Sequence, residues 1–366
     1  MKNKKNKPYI MIAAGGSGGH LFSADAVSNE LRKRNYRIIL LTDKRVKRFL
    51  NNFKADKIIL VPSDTFTNKG FIKWPQVAFK LLLGFFISLF WIILTRPILS
   101  IGFGGYPSLS PLLASKLLGR KIIIHEQNTV FGRANNFLCS FADGVSNGFK
   151  NTRIKVHKNI NNHNFLGNPV REEIVKYKDE KKIFDKRNIS ILIFGGSHGA
   201  TFLTELVTKS LNYMPSEIFQ NLNIVQQCRK EDINFLTDYF SKNNVRHNVS
   251  EFFYDLPKLI MQSDIVISRA GASTLSEMAI CGKPCIFIPL PNTLDGDQEY
   301  NARNFELANA AIVCDQNNLN PEFLSKKVLE LINNSNKREK LSKNIKSFGI
   351  PNASSNIADF AEEVIG

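Results

Sequence analysis

Ile10–His20 reads IMIAAGGSGGH, a short apolar run that breaks into glycines and ends on a histidine. Ile191–Ala200 reads ILIFGGSHGA, nearly the same phrase again. An apolar run bounded by glycine is the signature of a buried strand in a parallel sheet, and the helical pattern after it makes the glycines a tight strand-to-helix turn. Such a turn leaves backbone N–H groups uncovered at the positive end of a helix dipole, where an anion can sit. A single loop of this kind is either a plain turn or an anion site; two at matching places in the two halves point to ligands. Neither loop is a dinucleotide fingerprint, because Leu21 stands where Gly16-x-Gly18 should be followed by a third small residue. Neither is a Walker loop, because no Gly-Lys-Ser/Thr follows.

Outward from these two phrases, apolar runs alternate with amphipathic segments. The first half is expected to carry strands at Tyr9–Ala14, Tyr36–Thr42, Lys57–Val61, Ile98–Ile101 and Lys121–His125. The second half is expected to carry them at Ser190–Phe194, Asn223–Gln227, Val245–Ser250, Ile265–Ser268, Pro284–Ile288 and Ala311–Val313. Val156–Lys186 is polar, and Gly167-Asn168-Pro169 places a linker near Phe165–Val170. The 366 residues therefore read as an α/β protein of two doubly wound Rossmann-like domains facing a cleft, 1–166 and 167–351.

Composition narrows the class. With 49 basic and 32 acidic residues the net charge is +17, which fits an anionic partner: nucleic acid, an acidic membrane surface or a phosphorylated substrate. A chain rich in Lys and Asn throughout is the plainer alternative. The five cysteines (Cys139, Cys228, Cys281, Cys285, Cys314) are scattered and odd in number, with no CxxC pair, which argues for a reducing compartment and against a disulfide scaffold or a zinc site. Met1–Lys7 is basic, but the apolar run after it is too short for a signal-peptide core.

Gly70–Leu94, GFIKWPQVAFKLLLGFFISLFWIIL, breaks the pattern. From Val77 it runs 18 residues interrupted only by Lys80, short of the usual span of about 20. The favoured reading is a helix with a membrane-facing apolar patch flanked by Lys69, Lys73, Lys80 and Arg96, ahead of a buried core helix or a true span.

Further motifs gather at strand ends. Ile101–Ser110 (IGFGGYPSLS) is a third glycine turn, and with His20 and His125–Asn128 (HEQN) it should lie at the carboxyl edge of one sheet. There His20 is either a capping residue or a general base, the helix N-terminus favouring its neutral form. In the second half, Ser268–Glu277 (SRAGASTLSE) offers Thr274-x-x-Glu277 as a capping box, or Glu277 as an acceptor for a ribose diol. Asp295-Gly296-Asp297 is a turn, or two carboxylates for Mg²⁺ or Mn²⁺ beside a diphosphate.

In order, GGSGGH, GFGGYPS, HEQN, GNPVR, GGSHGA, RAGAST-x-SE and DQ-x-x-NA closely resemble the MurG family, from about Tyr9 to the C-terminus. These are the bacterial UDP-N-acetylglucosamine:lipid I N-acetylglucosaminyltransferases of peptidoglycan synthesis. The resemblance implies a glycosyltransferase B-type fold in which 352–366 forms a helix packed back on the first domain. It implies an inverting transfer of GlcNAc to the 4-hydroxyl of MurNAc in lipid I, giving lipid II, without an essential metal or other cofactor. It implies catalytic roles for His20, as the base, and for Glu277. Donor UDP-GlcNAc would meet Arg171, Ser197, Phe253, Ala272, Ser273, Thr274, Glu277, Gln298 and Glu299 in the second domain, with Ser17, Gly18, Gly19 and Asn128 from the first. The acceptor would meet Gly18, Gly104, Gly105, Tyr106 and Asn128, and Asn301 would support the Gln298 loop. The implied setting is peripheral, on the cytoplasmic face of the inner membrane. The partners would be an anionic membrane surface and other cell-wall synthesis proteins, with links to cell shape and division and no nucleic acid. Two residues depart from the family pattern: His198 where Gln is expected, and Glu299 where Gln or Thr is usual.

Three rivals share part of the pattern. A diacylglycerol glycosyltransferase would match the second half better than HEQN and GFGGYPS. A UDP-sugar 2-epimerase would need carboxylates in the cleft, for which Glu126 and Asp297 are the candidates. A noncatalytic sugar-nucleotide sensor would not need His20, Glu277 and Gln298 together.

Overall fold

Residues 7–65, 70–153, 162–180, 188–293 and 295–366 are described by a computed structural model, the side chains of 196–200 excepted. The chain divides into two compact units, one of residues up to Arg171 with Ile350–Gly366, the other Glu172–Gly349.

Unit 1 is built on a seven-stranded sheet in the order β3-β2-β1-β4-β5-β6-β7, parallel throughout. The strands are β1 (Tyr9–Ala13), β2 (Arg37–Thr42), β3 (Lys57–Leu60), β4 (Leu99–Gly102), β5 (Lys121–Glu126), β6 (Gly144–Asn147) and β7 (His163–Phe165). Unit 2 repeats the winding with six parallel strands, β8 (Ile189–Phe194), β9 (Leu222–Gln227), β10 (Arg246–Ser250), β11 (Ile265–Ser268), β12 (Cys285–Phe287) and β13 (Ile312–Val313). Their order is β10-β9-β8-β11-β12-β13. Both sheets reverse direction between their first and fourth strands, and ligands of doubly wound folds bind at that reversal.

Two strands were not legible. β6 (GVSN) contains one apolar side chain, and β7 (HNF) lies at the sheet edge with its first and last residues exposed, so neither makes an apolar run. β7 also falls just before the expected linker, and the unit boundary lies after Arg171 rather than after 166. The reason is packing. A Cβ on Gly167 would stand 2.5 Å from Cβ of Ile350, and the Ser23 hydroxyl donates to the carbonyl of Pro169 at 2.9 Å, so the GNPV segment is built into unit 1.

The C-terminal helix Ala353–Ile365 packs against the first helix, Gly18–Lys33. Ile357, Ala358, Phe360, Ala361 and Val364 join the core of β1, β2, β4 and β5, and Arg34 bridges to Glu362 at 2.8 Å. Burying a side chain such as Phe360 contributes about 2 kcal/mol.

The helix Trp74–Thr95 is long and apolar enough to cross a membrane by length and composition, yet one face is seated on unit 1. Val77, Gly84, Ser88 and Ile92 are buried, and the Ser110 hydroxyl donates to the Leu81 carbonyl at 2.9 Å. Gly84 lies so close to its neighbour that a Cβ there would be 2.4 Å from the Pro62 carbonyl oxygen, so only glycine permits this seat. The other face shows Phe79 (65% exposed), Phe86 (56%) and Phe90 (61%). Phe85 and Trp91 turn inward against the core, and the Lys57 ammonium lies 4.7 Å over the Trp91 ring. Of the flanking cations, Lys73 and Arg96 are exposed, Lys80 pairs with Asp64 at 2.8 Å, and Lys69 lies outside the described residues.

Candidate active site

At the reversal point of the first sheet, β1 runs into Gly15–Ser17 and the helix Gly18–Lys33, so Gly18, Gly19 and His20 form the helix's first turn rather than a loop. Ser17 is its N-cap, the hydroxyl accepting from the His20 amide at 3.5 Å. The Gly16 amide is taken by Asp43, at 3.2 Å. The His20 ring is oriented from below: Nδ1 lies 3.0 Å from the Gly15 carbonyl oxygen. A carbonyl only accepts, so Nδ1 carries a proton, and in the neutral ring Nε2 is the nitrogen left with the lone pair.

Nε2 faces the turn after β4. Gly104 and Gly105 both have positive φ, +85° and +73°, and a Cβ on Gly104 would stand 3.6 Å from His20 Nε2 and 3.3 Å from Asn135 Nδ2. The glycines thus open space around the imidazole. Tyr106 follows at the start of the helix Tyr106–Leu117 and is half-buried.

The HEQN segment is organised by Glu126. Its Oε1 accepts from the Asn128 amide (2.9 Å) and Asn128 Nδ2 (3.1 Å); its Oε2 accepts from the Gly132 amide (3.0 Å) and Asn135 Nδ2 (2.8 Å). Burial pushes the Glu126 pKa up, against the pull of these donors and of His20. His125 is fully buried, and burial holds its pKa down to about 4. Its Nε2–H donates to Asn168 Oδ1 at 3.2 Å, and Asn168 Nδ2 donates to the Gln127 carbonyl at 2.9 Å. Asn168 of GNPVR is therefore a pin behind the site. Arg171 belongs to unit 1, not to the expected second domain, with its guanidinium 5.3 Å over the Phe22 ring.

In unit 2 the helix Gly196–Leu211 starts at the second glycine of GGSHGA, so that segment is a helix first turn. The side chains of Ser197 and His198 lie outside the described residues. The turn after β11 leads into the helix Ala272–Cys281, whose N-cap is Gly271. The capping-box reading therefore fails: Thr274 and Glu277 are both inside the helix, Glu277 buried, Ser273 and Thr274 half-exposed at its first turn. Phe253 is half-buried between Phe252 and Tyr254, whose rings meet edge-on at 4.9 Å.

Gln298 and Glu299 part company. The Gln298 Oε1 accepts from the amides of Ala270 (3.3 Å) and Leu290 (3.0 Å), tying the turns after β11 and β12 together, while Glu299 is exposed. With its oxygen engaged, Gln298 presents its amide nitrogen as the end that can donate. Asn301, buried, donates to the Ala270 carbonyl at 3.3 Å. Arg269, which the sequence reading passed over, is buried and donates to the carbonyls of Ile288 (3.0 Å) and Pro289 (3.3 Å). Asp297 opens the helix Asp297–Leu307 after Gly296. Among the described residues no group of three or more His, Cys, Asp or Glu converges as a metal site.

Two family models match this arrangement, the glycosyltransferase family 28 N-terminal domain over residues 10–146 and the C-terminal domain over 190–361. The chain is 36% identical over 361 residues to a UDP-N-acetylglucosamine--N-acetylmuramyl-(pentapeptide) pyrophosphoryl-undecaprenol N-acetylglucosamine transferase of Allorhizobium ampelinum, covering 98% of this chain and 96% of that protein. The chain belongs to the MurG family. A Brucella suis protein of the same name is 35% identical over 372 residues, covering all of this chain and 96% of that one. The crystal structure of Acinetobacter baumannii MurG superposes with a TM-score of 0.77 at 26% identity, covering 97% of this chain and 99% of that one. Membership makes the protein a hexosyltransferase of glycosyltransferase B-type fold, two Rossmann-like domains in one chain.

Proposed function

We propose that this protein transfers GlcNAc from UDP-GlcNAc to the 4-hydroxyl of MurNAc in undecaprenyl-pyrophosphoryl-MurNAc-pentapeptide, lipid I, giving lipid II. The names of its relatives support the substrates. The observation that carries the mechanism is the orientation of His20: Nδ1–H spent on the Gly15 carbonyl, Nε2 open beside Gly104. The acceptor hydroxyl gives its proton to Nε2 as its oxygen attacks the anomeric carbon. The bond from that carbon to the β-phosphate oxygen breaks on the opposite face, UDP leaves with the electron pair, and the α-linked donor becomes a β-1,4 product. A positioned base of this kind is worth about 10²–10⁴ in rate.

Unit 2 takes the donor in this reading. The helix N-termini at Gly196 and Ala272 meet the diphosphate, with Ser197 and the amides of 272–274 closest, and the Phe253 backbone faces uracil. Glu277 takes the ribose hydroxyls, and the Gln298 amide nitrogen holds the sugar. Helix N-termini and cations stabilise the leaving diphosphate, each such donor worth about 3 kcal/mol in the transition state, and no metal takes part. Gly18, Gly104, Gly105, Tyr106 and Asn128 line the acceptor side. The exposed face of Trp74–Thr95 docks on an anionic membrane at the cytoplasmic leaflet, where the basic flanks meet lipid headgroups.

The test is transfer of labelled GlcNAc to a short-chain lipid I analogue, with diacylglycerol and no acceptor in parallel, each with and without EDTA. A labelled disaccharide lipid formed equally in EDTA is the expected result. Product on diacylglycerol alone, or a free epimerised nucleotide sugar, would overturn the acceptor; product abolished by EDTA would overturn the metal-free step.

A further inference from the structure

One cation beside the first glycine turn has no part in the scheme above. Asp43, the residue after β2, is a carboxylate with its side chain only 5% exposed, lying behind the turn. Its Oδ1 accepts the Gly16 amide at 3.2 Å; its Oδ2 accepts Arg45 Nε and, at 3.2 Å, the Ser63 hydroxyl. Arg45 stands on the open side, its side chain 51% exposed. Its Nη2 is 3.5 Å, and its Nη1 3.8 Å, from the point where a Cβ on Gly16 would be, so the guanidinium lies against the bare face of that glycine. Asp43 holds the Nε edge and Ser63 Oγ accepts from Nη2 at 3.4 Å, which leaves the remaining N–H groups of Nη1 and Nη2 beside the turn. A planar fork fixed by a buried carboxylate is pre-organised to bind phosphate oxygens in pairs, which a lysine ammonium is not.

We propose that Arg45, held by Asp43 against Gly16, is the residue that recognises the diphosphate of the acceptor. This rests on the reading that the acceptor's diphosphate lies at the Gly15–Gly19 turn. Two features of the turn fit the role. The Gly16 amide is already committed to Asp43, so the turn has one donor fewer for an anion. The guanidinium beside it supplies two or more in its place.

The experiment compares two acceptors in steady-state transfer: a short-chain lipid I analogue, and a MurNAc-pentapeptide alkyl glycoside with no phosphate. In the wild type the diphosphate acceptor is preferred. Arg45→Ala is expected to cut kcat/KM for the diphosphate acceptor about 10- to 100-fold more than for the glycoside, the range for a charge-assisted hydrogen bond, with KM for UDP-GlcNAc unmoved. Arg45→Lys keeps the charge and the partner for Asp43 but loses the fork, and is expected to recover only part of the preference. An equal fall on both acceptors, or no fall on either, would overturn the proposal while leaving the proposed function standing. Full recovery in Arg45→Lys would overturn the paired recognition. A wild type that transfers to neither acceptor would overturn the acceptor reading itself, and the proposal with it.

Discussion

At the edge of the first sheet, a backbone carbonyl fixes an imidazole, a carboxylate gathers four donors, and a second carboxylate steers a guanidinium. At the corresponding edge of the second sheet, the clamp between turns is a neutral amide, Gln298, and the buried Arg269 turns its Nη1 to two carbonyls. The two units share a winding and differ in what they place at its reversal. On the proposed reading, unit 1 brings the imidazole of His20 and the carboxyl of Glu126 to the acceptor. On the same reading, unit 2 offers fixed dipoles and amides to the donor diphosphate, whose charge changes only as it leaves. An apolar helix face is also a feature of unit 1, which suits a unit that takes a lipid-linked substrate.

The comparison breaks most sharply at His20. His20→Ala is expected to lower kcat about 10²- to 10⁴-fold with UDP affinity unchanged by calorimetry; a matching loss of UDP affinity would erase the division of labour. Next in size is the acid response of His125. Its folded pKa, about 4, lies below the ordinary imidazole value of 6.5, so the unfolded chain binds the proton first as pH falls. Stability is therefore full above about pH 6.5 and declines toward pH 4, by about 2 kcal/mol between pH 7 and pH 5. Urea midpoints across that range should show the slope, and His125→Asn should flatten it. On the other side of the comparison, Gln298→Ala leaves the Ala270 and Leu290 amides unmatched. It should raise KM for UDP-GlcNAc about tenfold without altering KM for the acceptor. An effect of similar size falls on the helix face: Phe86→Glu should weaken flotation with anionic vesicles about tenfold, while Phe85→Glu should instead lower the melting temperature, because Phe85 faces the core.

Most of the fold was legible because parallel strands buried on both faces write themselves as apolar runs, as β1, β2, β8 and β11 do, while β10 (RHNVS), with one apolar side chain, was placed by the alternation of segments around it. β6 and β7 do not, and their burial or pairing comes from neighbours rather than from their own side chains. The glycine turns and His20 could be read from spacing alone. The tautomer of His20 could not, since it depends on a carbonyl five residues earlier folding under the ring. The roles of Glu126 and Gln298 were hidden for the same reason: each is decided by which backbone amides converge on it. Asp43 and Arg45 had a faint signal, an acidic residue closing the second strand of a doubly wound unit, a place where such folds contact ligands. That Phe85 and Trp91 face the core was not legible either, because composition cannot tell which side of an apolar helix is seated.

Amide hydrogen exchange with UDP-GlcNAc alone decides whether donor and acceptor chemistry are divided between the units. The strongest slowing is expected in unit 2, at 196–200, 253 and 271–274, with 103–106 of unit 1 little changed. Slowing centred on 15–20 and 103–106, with unit 2 unaffected, would refute the division.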